Sequence, residues 1–286
     1  MADAPGLEAA DPREGRTRPR GIELVLVAAV VGYAGILLVG PFVGLLWGAV
    51  RAGAGPFWKA LTNPEALHAL KLTLLLGLAA TAINAVLGTC TALVLVRDQF
   101  RGKRVLNALV DLPLATSPVI AGFMLILLFG RDGWLTPVVQ ALGIPIVFAL
   151  PGMLLATTFV SLPFVARELV PVLEQIGTES ESAAYTMGAS AWTAFWRITL
   201  PAARWGLLYG VSLTFARAIG EFGMVLVVSG SIAGLTETAT LYIYRALDER
   251  HPVDAHAVAL VLGFFSFILL FGMEFFRRRS RRGASS

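Results

Sequence analysis

Long apolar stretches alternate with short polar segments along most of the chain. A helix needs about 20 mostly apolar residues to cross the hydrocarbon core of a bilayer. Six stretches approach or exceed this length, so the pattern predicts six membrane-spanning helices. Their approximate ranges are 22–48, 72–96, 106–130, 146–166, 204–229 and 256–276.

Prolines interrupt two of these predicted spans. Pro113 and Pro118 lie in the third, and Pro151 and Pro163 lie in the fourth. Membrane helices tolerate proline when neighbouring groups satisfy the carbonyls that it leaves free. We therefore keep both stretches as spans and expect the third to be broken near its midpoint, at Ser117 and Pro118.

The composition agrees with an integral membrane protein. Hydrophobic residues make up 56% of the chain, charged residues only 15%, and the mean hydropathy is +0.73. This leaves too little polar surface for a soluble domain of this length. A single cysteine cannot form a disulfide within the chain, and the three histidines form no set with metal-ligand spacing. We predict no metal site.

The distribution of basic residues predicts the orientation in the membrane. Of the 23 Lys and Arg residues, 16 lie in the two tails or at 97–104 and 167–204. Six lie in the alternate loops, and only Arg217 lies inside a span. Cytoplasmic segments carry an excess of Lys and Arg, so both termini are predicted to be cytoplasmic. The basic tails are expected to meet anionic lipid, and no nucleic-acid partner is predicted.

These observations divide the chain into four parts. Residues 1–21 are expected to form a disordered, basic cytoplasmic tail, and residues 22–64 the first span with its outer loop. Residues 65–276 would form the membrane core, which includes the longest cytoplasmic loop, at about 167–203. Residues 277–286 form a second basic cytoplasmic tail.

The long cytoplasmic loop contains the signals of two short helices. Pro171 is expected to start a turn, and Glu179 lies where an acidic residue favours the start of a helix. Gly188 is suited to end that helix, because glycine adopts the left-handed conformation cheaply. Ser190 can cap a second helix, and Pro201 is expected to end it before the fifth span begins.

Three aromatic residues lie in the second of these helices. The spacing of Trp192, Phe195 and Trp196 places them on one side of a helix. One interpretation is an interfacial helix that rests on lipid headgroups, where Trp is common. The other is a docking element for a cytoplasmic partner, with the aromatic side chains as anchors.

The segment SAAYTMGASAWTAFWRITLP resembles the EAA loop of importer-type ABC transporter permeases. It departs from that pattern at Ser182, where the family has Glu, although Glu181 lies one residue earlier. In the family this loop docks into a groove of the ATPase subunit. The resemblance therefore implies an ATPase-coupling role for Ser182, Ala183, Ala184, Gly188, Trp192, Ile198, Leu200 and Pro201.

The chain from about residue 65 to residue 275 is similar to the CysW-type permease of bacterial sulfate/thiosulfate importers. The stretches ALVDLPLATSPVIAG and RWGLLYGVSLTFARAIGEFGMVLVVSGSI carry the similarity. ARAIGEFG is also similar to permeases for molybdate and tungstate, which remain the alternative substrates. The resemblance implies an all-α type-1 ABC importer permease, one half of a translocation pathway in the bacterial cytoplasmic membrane.

The same resemblance implies the partners. They are an ATPase dimer, a second permease subunit (a T-type paralogue or a second copy) and an extracytoplasmic sulfate-binding protein. The chain has no GxxxxGK[ST] segment of the kind that cradles ATP phosphates, so ATP would be used by the partner. We expect a non-catalytic chain that binds no cofactor of its own.

Arg217 and Glu221 are the clear charges inside a predicted span. At 1.5 Å per residue, Arg217 lies about 20 Å along the helix from Arg204, too deep to face lipid without a large cost. Glu221 follows four residues later, so the two side chains can pair on one helix face. Either the pair is structural, or Arg217 lines the path of a dianion and Glu221 prevents tight trapping.

Small and helix-breaking residues accompany this pair. Gly220 beside Glu221 allows close packing against a neighbouring helix or a hinge. Ser117 and Pro118 in the third span would expose a hydroxyl and free carbonyls that could touch a passing anion. A secondary anion transporter is the rival class, but such a protein would place coupling charges in several spans.

Overall fold

The computed structural model describes residues 20–283, and within that range the side chains at 20, 22, 142, 270 and 274–283 are not described. The predicted disordered tail therefore lies almost wholly outside the described residues. Between residues 20 and 283 the structure contains thirteen α-helices and no strand. They are α1 (Arg20–Ala52), α2 (Ala54–Leu61), α3 (Pro64–Arg97), α4 (Lys103–Ala115), α5 (Pro118–Phe129), α6 (Thr136–Leu142), α7 (Leu150–Ile176), α8 (Glu179–Thr186), α9 (Ala191–Ala194), α10 (Leu200–Ile219), α11 (Gly223–Ser229), α12 (Ala239–Asp248) and α13 (Pro252–Gly283).

Four of the described helices are long and apolar enough to cross a membrane on their own, namely α1, α3, α7 and α13. Two further pairs are long and apolar enough only when taken together, and each is bent at a short break. They are α4 with α5, bent by 113°, and the stretch Ala191–Ile219 (α9 to α10) with α11, bent by 56°. If each bent pair is one span, the described residues contain six spans, which is the predicted number.

The break in the third predicted span is confirmed at Ser117. Proline disfavours the helical conformation in the residue before it, and Ser117 lies outside the helical region, with φ −59° and ψ 130°. Pro118 then occupies the first turn of α5, where its missing N–H leaves no carbonyl unsatisfied. Pro113, in contrast, lies inside α4 without ending it.

The helix α7 is the central element of the core. Its side chains at Met153, Val165 and Leu169 are at most 1% exposed, and it packs against α3, α10, α4 and α11. The predicted turn at Pro171 is wrong, because α7 continues through Pro171 to Ile176. A proline inside a helix removes one hydrogen bond, and the packing of α7 on all these neighbours outweighs that loss.

Three short helices, namely α2, α6 and α12, lie in segments that are predicted to be loops. Helix α12 buries one side in the core, with Leu241, Tyr242 and Ala246 buried and Tyr244 and Leu247 exposed. Its buried side packs mainly against α13. The chain also divides into two compact units after Gly48, so the first unit contains α1 as far as that residue.

The contact between α3 and α7 depends on a glycine. A Cβ atom placed on Gly88 would lie 2.6 Å from Val165 Cβ and 3.2 Å from the Ala166 nitrogen. Real Cβ atoms do not approach another atom that closely, so Gly88→Ala must push the two helices apart. We expect Gly88→Ala to lower the free energy of unfolding by about 1–3 kcal/mol, measured by denaturant unfolding in detergent micelles.

Gly272 in α13 provides the matched control. A Cβ atom there would meet nothing within 4 Å, and alanine has the higher helix propensity. Gly272→Ala should therefore leave the unfolding free energy unchanged or slightly raised. Equal stability of the Gly88→Ala and Gly272→Ala variants would contradict the close packing of α3 on α7.

Candidate functional site

The segment that follows α7 forms a compact pair of short helices. Gly177, with φ +67°, ends α7, and α8 begins at Glu179 as predicted. Gly188, with φ +86°, ends α8 as predicted, because the N–H of Ala189 reaches back to the Ala184 carbonyl at 3.0 Å. Such a left-handed glycine lets the chain reverse direction directly after the helix.

The second short helix begins as predicted but does not end as predicted. Ser190 Oγ accepts a hydrogen bond from the Thr193 N–H at 3.2 Å and caps α9. Pro201 does not stop the helix, which passes through a π-helical turn at Phe195–Thr199 into α10. Pro201 lies in the first turn of α10, and the widened turn accommodates the residue that has no N–H to donate.

Glu181 faces the interior of the protein. Its Oε1 accepts hydrogen bonds from Arg97 Nη2 at 2.8 Å and from Thr199 Oγ1 at 2.6 Å. The two charged side chains are only 16% and 11% exposed. Glu181 thus ties α8 to the end of α3 and to the helix that leads into α10, and Ser182 beside it is exposed.

The outer side of this helix pair presents large exposed side chains. Tyr185 is 48% exposed, Met187 82%, Trp192 70% and Trp196 49%. We call these four residues the coupling surface, after the coupling role that the resemblance predicts for this segment. Trp192 and Trp196 pack edge to face with ring centroids 5.4 Å apart, and Phe195 completes the cluster, so the predicted one-sided placement is confirmed.

The remaining residues with a predicted coupling role surround this surface or support it. Ser182, Ala183, Gly188 and Pro201 are exposed, whereas Ala184 is buried and Ile198 and Leu200 are half-buried. Contiguous exposed apolar side chains of this kind mark interaction sites. The geometry therefore offers a rigid aromatic patch at one end of the helix bundle.

The Arg217–Glu221 ion pair is present, but the two residues do not lie on one continuous helix as predicted. Helix α10 ends at Ile219, and Glu221 lies in the break before α11. Its Oε2 lies 2.7 Å from Arg217 Nη1 and is held by charge, because the geometry is not that of a good hydrogen bond. Its Oε1 accepts from the Met224 N–H at 3.0 Å.

The break is held from a second side by α12. Thr240 Oγ1 donates a hydrogen bond to the Glu221 carbonyl at 2.7 Å. The Glu221 side chain is 3% exposed and the Arg217 side chain 33%. The pair therefore has a buried anionic end and a partly exposed cationic end.

The breaks in α4/α5 and α10/α11 lie against each other. A Cβ atom on Gly223 would lie 3.1 Å from Pro118 Cβ, and one on Gly122 would lie 3.0 Å from the Met224 carbonyl oxygen. Close approach through small residues is typical of packed membrane helices. The structure thus brings Pro118 next to the start of α11, with Ser117 and Gly220 both exposed.

A second charged cluster surrounds Arg245, and the sequence pattern, which predicts a loop there, does not reveal it. Arg245 Nε lies 2.7 Å from Glu237 Oε1, and its Nη2 lies 2.6 Å from Glu65 Oε2. Its Nη1 lies 3.2 Å from Glu249 Oε2. The hydrogen bond to Glu237 is the main cause of the raised pKa of Arg245. The four-residue spacing of Arg245 and Glu249 was the one local signal.

Comparison with known proteins identifies the family. The family described as "Binding-protein-dependent transport system inner membrane component" matches residues 84–284. The sulfate transport system permease protein CysW of Synechococcus elongatus is 45% identical over 249 residues, which cover 87% of each chain. The CysW protein of Escherichia coli is 43% identical over 236 residues, covering 82% of this chain and 81% of that one.

A solved structure supports the fold. It is that of a bacterial alginate ABC transporter in complex with alginate pentasaccharide-bound periplasmic protein, and one of its chains matches with a TM-score of 0.75. The match covers 92% of this chain and 94% of that chain at 18% identity. The chain therefore belongs to the family of binding-protein-dependent transport system inner membrane components and has the fold of a type-1 ABC importer permease.

Proposed function

We propose that this chain is a permease subunit of an ATP-driven importer for sulfate and forms half of its translocation path. The observation that carries the proposal is the 45% identity to a sulfate transport permease across 87% of both chains. The chain supplies passage, and a partner ATPase supplies the energy, so no cofactor is assigned to this subunit. Thiosulfate is a second candidate cargo, since the sequence resembles importers that carry both anions.

The coupling surface is the proposed contact with the ATPase. Its exposed aromatic and Met side chains at Tyr185, Met187 and Trp192 are of the type that anchors protein interfaces. Movement of a docked ATPase would pass through the continuous helix from α9 into α10, which ends at the Arg217–Glu221 pair. This direct connection links the ATPase contact to the membrane interior.

The translocation path is proposed to pass the two breaks. Arg217 offers a partly exposed positive charge, and Glu221 moderates it, so that a dianion is attracted without being trapped. Gly220, Ser117 and Pro118 lie at the same two breaks, where Gly220 leaves room and Ser117 adds an exposed hydroxyl. We assign these five residues to the path or its gate.

The complete importer would contain further chains. We propose an ATPase dimer, a second permease subunit (a T-type paralogue or a second copy) and an extracytoplasmic sulfate-binding protein, in a bacterial cytoplasmic membrane. Both termini of this chain would face the cytoplasm, as the basic residues of its tails predict. The family description, which names binding-protein dependence, supports the last of these partners.

A gene deletion tests the substrate. Cells that lack this chain are expected to grow on cysteine but not on sulfate as the only sulfur source, and a plasmid copy should restore growth. Thiosulfate as the only sulfur source reveals whether both anions use the same path. Normal growth on sulfate, together with loss of molybdenum- or tungsten-dependent enzyme activity, would instead support the alternative suggested by the ARAIGEFG segment.

A further inference from the structure

A polar cavity lies at the end of the molecule where α3 and α13 begin and α12 ends. Its volume is about 250 Å³. The lining residues are Asn63, Glu65, Tyr242, Arg245, Ala246, Glu249, His251 and Asp254. None of them has a role in the proposed coupling surface or translocation path.

The charges around this cavity do not balance. Arg245 is the only cation of the lining apart from His251, and it is already surrounded by Glu65, Glu237 and Glu249. Asp254 adds a fourth carboxylate, which forms no ion pair or hydrogen bond with any described residue. The cavity therefore has an excess of negative charge with an unpaired carboxylate in its wall.

The hydroxyl of a buried side chain faces the same cavity. Tyr242 is 2% exposed and lines the cavity, and its hydroxyl makes no hydrogen bond within the described part of the chain. Burial and the negative charge of Asp254 raise the pKa of Tyr242 to about 12. The hydroxyl thus lies in a negative potential and is available to a ligand.

These features suit an ammonium or guanidinium group better than a metal ion. Both groups carry only hydrogen-bond donors, and the cavity wall offers carboxylate and phenolic oxygens. Among the described residues no group of three His, Cys, Asp or Glu side chains has the geometry to hold a metal ion. Arg245, inside the cluster, repels a divalent cation about twice as strongly as it repels the single charge of an ammonium or guanidinium group at the same distance.

The cavity and the coupling surface lie at opposite ends of α3. Glu65, in the first turn of α3, contacts Arg245, whereas Arg97, in its last turn, contacts Glu181 of α8, the helix that also carries Tyr185 of the coupling surface. Thirty-two residues at 1.5 Å each separate the two ends by about 48 Å. If the coupling surface meets the ATPase, the cavity opens towards the extracytoplasmic side.

We propose that this cavity receives a Lys or Arg side chain of the extracytoplasmic solute-binding protein when that protein docks. The proposal rests on the proposed function, because it takes the binding protein as a partner. Asp254 and the Tyr242 hydroxyl accept hydrogen bonds from the incoming cation, and Glu249 adds charge at the rim. Arg245 holds Glu65 and Glu237 in place beneath them.

The test is the affinity of the sulfate-binding protein for the assembled transporter in lipid nanodiscs, measured by biolayer interferometry. Asp254→Asn is expected to raise Kd about tenfold, and Tyr242→Phe about threefold, because the latter removes only the hydroxyl. Asp132→Asn is the matched control, since Asp132 is exposed in the loop between α5 and α6. Its Kd should equal that of the wild type.

A double-mutant cycle with the sulfate-binding protein identifies the side chain that enters the cavity. Each surface Lys and Arg of that protein is replaced in turn, and at one position the effect on Kd should not be additive with that of Asp254→Asn. An unchanged Kd in Asp254→Asn and Tyr242→Phe overturns the cavity proposal alone. Failure of the wild-type transporter to bind the sulfate-binding protein overturns the proposed partner as well. If the Asp254→Asn variant still binds the sulfate-binding protein normally but loses the second permease subunit, the cavity belongs to the contact between the two permeases. That result also overturns the cavity proposal.

Discussion

Arg217→Gln is expected to lower the free energy of unfolding by about 3 kcal/mol, because it leaves a buried carboxylate without its cation. The Glu221 side chain is 3% exposed and cannot reach water from its position in the break. Glu221→Gln should lower the free energy of unfolding by less, because the Arg217 side chain that it leaves unpaired is 33% exposed. Denaturant unfolding in detergent micelles measures both losses.

The double variant separates the two roles of the pair. Arg217→Gln with Glu221→Gln removes both charges, and the Gln at 221 can still accept the hydrogen bond from the Met224 N–H. We therefore expect the double variant to recover most of the stability that Arg217→Gln loses. Its sulfate uptake should stay at least tenfold below wild type, because the positive charge that we propose to line the path is absent.

Arg204→Gln is the control for this experiment. Arg204 belongs to the same helix α10 but is exposed near its start, so its loss should change neither stability nor uptake by much. Full uptake by the stable double variant would show that the ion pair is structural only. Uptake that is lost while stability is recovered supports the assignment of Arg217 to the path.

Trp192→Ala is expected to weaken binding of the ATPase subunit by more than tenfold. Trp192 is 70% exposed, and its ring contacts those of Phe195 and Trp196 in the π-helical turn that follows α9. Removing the Trp192 ring should therefore change the free energy of unfolding little, whereas an exposed Trp at the centre of an interface contributes about 2 kcal/mol or more to binding. The measurement is the amount of ATPase retained by the purified permease, as a function of ATPase concentration.

A second exposed tryptophan provides the comparison. Trp134 is 89% exposed and lies between α5 and α6, away from the coupling surface in sequence. Trp134→Ala should retain the ATPase as the wild type does. If the two variants behave alike, the aromatic cluster rests on lipid headgroups and does not dock the ATPase.

Local chemistry made several features predictable from the sequence. The break at Ser117 follows from the restriction that Pro118 imposes on its neighbour, and the end of α8 follows from the freedom of Gly188 at φ +86°. The long spans follow from length and apolar composition. Each of these signals lies within a few residues of the feature that it determines.

Features that depend on residues far away in the sequence could not be predicted. The segment GEFG contains no proline, and its break is held by Thr240, which is 19 residues from Glu221. The Arg245 cluster joins residues that are 180 positions apart. The π-helical turn before Pro201 and the continuation of α7 through Pro171 were also missed, because tertiary packing outweighs the local preference of proline there.

The most direct test of the central claim is the uptake of radioactive sulfate into proteoliposomes that contain this chain, its second permease subunit and the ATPase dimer. With ATP on the ATPase side and the loaded sulfate-binding protein on the other, we predict accumulation of sulfate that stops when ATP is omitted. We expect no accumulation of sulfate when the Trp192→Ala variant replaces the wild-type chain. Accumulation that persists without ATP under an ion gradient would contradict the account and assign the chain to secondary transport.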